Sequence, residues 1–412
     1  MKKTLTAIFA IYFIVRLALY YTAYIGSSDP ALAASVAKYF IADDVANGFE
    51  YLRWGYVFKV LSFLFTCAYF ASCLFGRILG KSVSRLDPFL SGSPYLFSAA
   101  LYCEFYLGWL CARLPFSFVI GHAGETLFGF SNLSAAGWLI FYLKINALEM
   151  ILTATVFALV RLVFATFPRK WHLALPAGAF IFSLITTLMF QMAVLPMFYK
   201  TTEIADGGFA GTLKKIAADR GVAVEKIEQV DESTYSNHTN AFFTGFGPWK
   251  RIFLCDTLFK SHTKGEIALI YAHELGHFVY SHEFKGILIF SAALLAFGLI
   301  LKSIYFGNDP ARHEMFMKRY ASLTPVLFIL YVMLYLFVAP AENAISRYFE
   351  RNADSFAFDA VRTGVATKDD SVGLYLNLAR KNRSNLLPHE ANYFFFASHP
   401  RTIDRILASQ EK

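Results

Sequence analysis

Residues 273–277 read His-Glu-Leu-Gly-His, inside the longer string EIALIYAHELGHFVYSH. The preceding ALIYA run gives this string a helical setting. At 3.6 residues per turn, His273 and His277 then lie on one face and can share one metal ion. Neutral imidazole is a good zinc donor. Glu274, beside the ligands, can reach a zinc-bound water and take its proton, which is the mechanical content of an HExxH pattern and points to metal-assisted hydrolysis. The small Gly276 is expected to leave open space over the metal face.

A catalytic zinc needs a third protein ligand and an open fourth position. The string SRYFERNADSFA at residues 346–357 supplies a candidate in Glu350, completing a His-His-Glu set for one Zn2+ per chain. Asp354 lies four residues on, on the same helix face, placed to orient a ligand histidine. An exposed amphipathic helix with Arg–Glu pairs is the plainer alternative. It does not account for Phe349, Phe356 and Ala357 interleaved with the charges, which imply a packed helix.

These residues must be positioned by an unusual chain. Of its 412 residues 56% are hydrophobic and only 17% charged, and the mean hydropathy is +0.45. Soluble domains average about 25% charged residues, so lipid is the natural solvent for the excess apolar surface. Seven stretches are long enough to span a bilayer: Thr4–Ile25, Tyr56–Leu79, Tyr95–Ala112, Ala147–Phe167, Leu173–Phe198, Gly286–Phe306 and Leu323–Ala339. The first could be a signal peptide, but its length and Arg16 favour a retained transmembrane helix. Lys59, Glu104, Glu149 and Arg161 fall in or beside spans; such charges either snorkel near helix ends or face a polar interior.

The expected fold is a predominantly α-helical polytopic membrane protein of about seven transmembrane helices with a small α+β zinc-protease domain. Residues 1–198 form the membrane domain, 199–285 the peptidase domain with the HELGH helix, 286–340 a transmembrane hairpin, and 341–412 a C-terminal catalytic segment. Short β-like runs occur at Ala223–Val230 and at Ala241–Leu254, the latter broken by Gly245–Pro248. The net charge of +8 fits loops and interface anchors. No tract grips a phosphate backbone, so no nucleic-acid partner is expected. Five scattered cysteines give neither a disulfide framework nor a cysteine-ligated zinc site.

The pair of motifs resembles the type I CAAX prenyl protease family and related membrane-embedded zinc metallopeptidases, whose hallmark is HExxH followed far downstream by SRxxExxAD. LPFSFVI at 114–120, FGFSN at 128–132, HTNAFFTGF at 238–246, KRIFLCDTL at 250–258 and SHPRTIDRI at 398–406 extend the likeness over residues 114–408. The resemblance implies that Asn240 and Ala241 lie on a strand pairing with the substrate backbone, that His399 stabilises an oxyanion or holds substrate, and that Arg405 pairs with an acidic group such as Asp354. Glu274 or Asp354 would deliver a proton to the leaving amine.

The implied activity is that of a zinc metalloendopeptidase. The family name implies removal of three residues from a prenylated C-terminus; quality-control cleavage of membrane proteins is the alternative. A seven-span receptor or transporter would not account for HELGH with SRYFERNAD, and a structural zinc protein would not need Glu274. The zinc helix ends within one or two turns of a span, which favours a peptide or protein substrate that is lipid-modified or membrane-tethered. Lys and Arg in the short connections put the catalytic side outside the cytoplasm, whereas the family resemblance puts it in the cytosol.

Overall fold

A computed structural model of the chain describes residues 2–411 apart from Ser91, Glu225, Asn308, Thr363 and Val365. Helix α1 (Lys2–Ile25) is followed by two short helices, α2 (Pro30–Val36) and α3 (Ala42–Arg53), which lead into α4 (Tyr56–Leu74). Helix α5 (Ile78–Leu90) connects to α6 (Pro94–Phe118), which passes through a π-helical turn into α7 (Glu125–Leu127). Helices α8 (Ala135–Thr166) and α9 (Trp171–Met189) follow, the latter continuing through a second π-helical turn into α10 (Leu195–Phe198).

Among the described residues, seven helical segments are long and apolar enough to cross a membrane: Lys3–Ile25, Ala42–Leu74, Pro94–Leu127, Ala135–Thr166, Trp171–Phe198, His282–Phe306 and Pro310–Asp359. The chain is a multi-pass integral membrane protein. Its helices outrun the apolar stretches read from the sequence. The 32 residues of α8 extend about 48 Å, against about 30 Å of hydrocarbon. Ile140, Ile151, Ile181, Ile185, Phe290 and Phe297 face outward and exposed, as lipid-facing side chains do. The bundle interior is an aromatic core around Phe70, Tyr102, Phe105, Tyr106 and Phe328.

Three of the charges at membrane depth have partners. Glu104 meets Arg85 and Ser82 of α5. Arg161 donates to Met317 O at 3.3 Å and stacks over Tyr95 and Tyr320. Lys59 donates to Leu52 O at 3.2 Å.

The peptidase region begins after α10. Strands β1 (Thr201–Glu203), β2 (Glu228–Val230), β3 (Ala241–Thr244) and β4 (Arg251–Cys255) form one sheet in the order β1-β2-β4-β3. Strands β2 and β4 are parallel and the other pairs antiparallel, with Ala241 opposite Leu254 and Phe243 opposite Ile252. Strand β3 is therefore an edge. The remaining helices are α11 (Gly207–Ala218), α12 (Asp256–Ser261), α13 (Lys264–Val279), α14 (His282–Leu301), α15 (Pro310–Arg362), α16 (Lys368–Lys381), α17 (Glu390–Phe396) and α18 (Thr402–Gln410).

Two of the sequence-drawn boundaries, after residues 285 and 340, fall inside helices α14 and α15. The one at residue 340 falls inside α15, which runs unbroken for 53 residues through Pro325 and Pro340. The membrane span and the segment bearing Glu350 are thus one rod. Leu32, Val36 and Phe40, between the first two spans, pack into the peptidase core with Leu254, Leu258, Ile267 and Leu275. The first hundred residues contribute to the catalytic unit as well as to the bundle.

Candidate active site

Helix α13 starts at a capping box. Thr263 accepts from Glu266 N at 3.1 Å and Glu266 accepts from Thr263 N at 3.2 Å, which satisfies donors the first turn leaves open. Glu266 also accepts from Asn377, and Thr263 donates to Asp370, so the start of the catalytic helix is tied to α16. Ile267, Leu269, Tyr271, Ala272 and Leu275 are buried around it. The helix is locked at its head and along its apolar faces, which fixes where its two imidazoles point.

Helix α15 crosses α13 at Gly276. A Cβ there would come within 3.0 Å of Ala353 Cα and 3.1 Å of Phe356 Cβ. The space expected over the metal face does not exist: Gly276 lies against α15, and its lack of a side chain is what lets the two ligand-bearing helices approach. That approach brings Glu350 to the histidines.

His273 Nε2 and His277 Nε2 lie 3.1 Å apart, and each is 3.3 Å from an oxygen of Glu350. The three donor atoms lie within 4.8 Å of one another. Two nitrogens bound tetrahedrally at the usual zinc distance stand about 3.3 Å apart, so the spacing suits that ion. The chemistry of the donors suits it too. Glu350 is buried, and its Oε2 has no hydrogen-bond partner, an arrangement that is costly unless a cation is near. Burial works against charge on His273, yet the carboxylates of Asp354 and Glu350 beside it favour the cation. The pocket favours positive charge at this point.

Both histidines are held from behind. His273 Nδ1 lies 2.9 Å from Asp354 Oδ1. Asp354 is itself fixed by Arg405, whose Nε donates at 2.9 Å, and by the Tyr375 hydroxyl at 3.1 Å. Arg405 thus pairs with Asp354 as the resemblance implied. Asp354 is buried, engaged by three donors and absent from the cavity wall. That position sets Asp354 behind His273, away from the cavity where a leaving amine would stand.

His277 Nδ1 lies 3.0 Å from His282 Nδ1. Sequence reasoning assigned His282 no role, because in an unbroken helix residues five apart point in different directions. Ser281, at φ 53° in the left-handed region, separates α13 from α14 and turns His282 back. The ring stacks flat on Phe349 of α15, centroids 4.3 Å apart. Tyr375 was also missed; nothing in its local sequence distinguishes it.

A cavity of about 390 Å³ opens over the donors, lined by Asn240, Ala241, Glu274, Glu350, His399 and Arg405 among others. Glu274 points into it beside the histidines and makes no hydrogen bond among the described residues. Burial pushes its carboxyl above the usual range. His399 sits at the mouth, its side chain 59% exposed and its Nε2 3.5 Å from Glu350. Strand β3 forms the facing wall, and Phe243 stacks on His277 at 5.8 Å. Cys255 N donates to Asn240 O. By the alternation of an antiparallel pair, Ala241 and Phe243 then turn their backbone groups away from β4.

The start of β3 is fixed separately. His238 donates through Nε2 to Glu125 at 3.0 Å and through Nδ1 to Asn382 at 3.2 Å, and it stacks on Phe130. Glu125 accepts in addition from Tyr51 at 2.6 Å.

The chain is similar to known proteins. Residues 207–412 match peptidase family M48. A probable CAAX prenyl protease 1 from Schizosaccharomyces pombe is 29% identical over 72% of this chain and 62% of its own length. A CAAX prenyl protease 1 homolog from Arabidopsis thaliana is 30% identical over 72% of this chain and 69% of its own. The crystal structure of S. mikatae Ste24p superimposes with a TM-score of 0.78 over 98% of both chains at 22% identity.

Proposed function

The chain belongs to the M48 family of zinc metallopeptidases, and from that premise we propose that it hydrolyses peptide bonds at the cavity over His273, His277 and Glu350. These three residues would hold one zinc ion. Bound there, zinc polarises a carbonyl and lowers the pKa of a water molecule.

The protein's own groups then have distinct tasks. Glu274 takes up the proton of the attacking water and returns it to the leaving amine; its free carboxylate and raised proton affinity suit both halves of that transfer. His399 donates to the oxygen that gains charge. Phe243 and the Ala241 carbonyl offer backbone groups to an extended substrate, which adds a strand at the open edge of the sheet. Asn240 closes the end of that edge, its Oδ1 already accepting from Ala241 N at 3.0 Å. Asp354 and His282 hold the ligand imidazoles in place.

One observation carries the substrate reading: α14 starts at His282 directly behind the site and is a membrane span. The scissile bond would be cut within one or two helical turns of the bilayer. Substrates bearing an apolar anchor, as the names of the related CAAX prenyl proteases suggest, would arrive already confined to that level and oriented. The second reading, quality-control cleavage of membrane proteins, rests on the same proximity without need of a lipid.

Glu274→Gln separates chemistry from metal binding. It should keep its zinc and lower kcat by about a hundredfold to ten-thousandfold; near wild-type turnover would remove Glu274 as the base. Cleavage of one reporter peptide with and without a C-terminal prenyl group separates the two substrate readings. A strong preference for the anchored peptide is expected, and equal rates would favour quality control.

A further inference from the structure

On the membrane face opposite the site, the ends of three spans enclose a second cavity. It is lined by Arg169 and Trp171 at the α8–α9 turn, Lys302 and Phe306 at the end of α14, and Asp309 and His313 at the start of α15, and it has a volume of about 490 Å³. Helix α14 sets its depth. From His282 beside the metal ligands to Leu301 it has 20 residues, about 30 Å, which is the thickness of the hydrocarbon core. The cavity therefore lies at the far bilayer boundary, where lipid headgroups lie.

Its charge is uncompensated. Three other cations at this face have carboxylate partners: Arg85 meets Glu104, Lys318 meets Glu314 at 2.6 Å, and Arg312 meets Asp309 at 3.5 Å. That last pair also neutralises the carboxylate at the cavity rim. Among the described residues, Arg169 and Lys302 have no carboxylate partner; Lys302 is only 3.4 Å from His172 Nε2, within the same wall. The walls are rigid. Trp171 and Phe306 are buried and packed on Phe164, and His313 donates through Nε2 to Phe164 O at 3.0 Å.

We propose that this cavity binds the phosphate headgroup of an anionic phospholipid, with Arg169 and Lys302 as its counter-charges. Two unpaired cations in a preformed pocket match a phosphodiester. The apolar surface beside the rim distinguishes a lipid from a free anion. Ile304 is 78% exposed, and Tyr305, Leu299 and Ile300 are exposed with it on the outer face of the same helix end, where acyl chains would run.

The test is thermal unfolding of the full-length protein in phosphatidylcholine nanodiscs, with and without a fraction of phosphatidylglycerol. A ligand of the native state raises the midpoint, so phosphatidylglycerol should raise it. Arg169→Gln should weaken the apparent affinity about fivefold, and the Arg169→Gln, Lys302→Gln pair about 25-fold, at the usual strength of one cation near an anionic surface. Arg169 is exposed, so the single variant keeps the test open if the double variant does not fold. Lys81→Gln, on the same face but outside the cavity, should leave the shift intact. Inorganic phosphate in phosphatidylcholine discs should not reproduce it. The proposal is overturned by an unshifted wild type, by equal loss in Lys81→Gln, which would mean diffuse attraction, or by full replacement of the lipid by phosphate.

Discussion

Two clusters among the described residues set a histidine against a carboxylate, and they end differently. At His238 every polar atom is used. Both ring nitrogens donate, to Glu125 and Asn382, and Glu125 takes a second bond from Tyr51. At His273 only the rear is used. Nδ1 meets Asp354, while Nε2 faces another imidazole nitrogen at 3.1 Å and a Glu350 oxygen that has no hydrogen to accept. A histidine–carboxylate pair thus builds a closed knot in one place and a convergent set of lone pairs in the other. The closed knot anchors the β3 edge to the membrane helices, and the open set is suited to holding a cation. What marks a site is the donor left facing a common point, rather than the presence of buried charge.

The sharpest way to break that contrast is to remove a donor from each. His273→Ala and Glu350→Gln should lose zinc by elemental analysis and lose all measurable peptidase activity, because two ligands do not make a catalytic zinc site. His238→Gln should retain about one zinc per chain. Full metal retention in the first two variants would place the metal elsewhere.

Next in size are the groups behind the ligands. Asp354→Asn and His282→Leu should each weaken zinc affinity by about tenfold to a hundredfold, measured by chelator competition. Loss in the first without the second would confine the rear support to His273.

Gly276→Ala tests the helix contact that brings the halves together. The new methyl meets α15 backbone at 3.0 Å, and such overpacking typically costs about 1–3 kcal/mol. A lowered unfolding midpoint with weakened zinc affinity is expected. An unchanged midpoint would mean that α15 moves freely and that the contact does not set the site.

The smallest effect belongs to the closed knot. Burial alone would lower the His238 pKa, but its bonds to Glu125 and Asn382 and the charges of Glu125 and Glu232 outweigh this and raise it above 6.5. A raised pKa stabilises the fold fully below pH 6.5, and that contribution fades as pH rises through the folded-state value. The midpoint should therefore fall as pH rises from the acid side through neutrality. His238→Gln should flatten that slope. A midpoint that rises over this range would show that the imidazole is neutral.

What the sequence by itself determined follows from local rules. Apolar length marked seven spans, since a bilayer demands about twenty residues of each helix. The spacing of His273 and His277 put two imidazoles on one face, because the helix repeat is fixed by backbone geometry. Asp354 read as a partner for a ligand histidine because it lies one turn from Glu350. Other features depended on contacts between distant segments. Gly276 carries no mark in its neighbours that distinguishes open space from a close crossing; only the position of α15 decides it. His282 reaches His277 through the left-handed turn at Ser281, a backbone state that serine adopts only where its surroundings hold it there. Leu32, Val36 and Phe40 have ordinary apolar spacing, and their place in the peptidase core is set by how α1 and α4 carry them to it. The local pattern fixed which groups could bind a metal, and the packing of α13 against α15 decided which atoms face one another, because the helix repeat acts over one turn while the meeting of two helices is settled by every side chain between them.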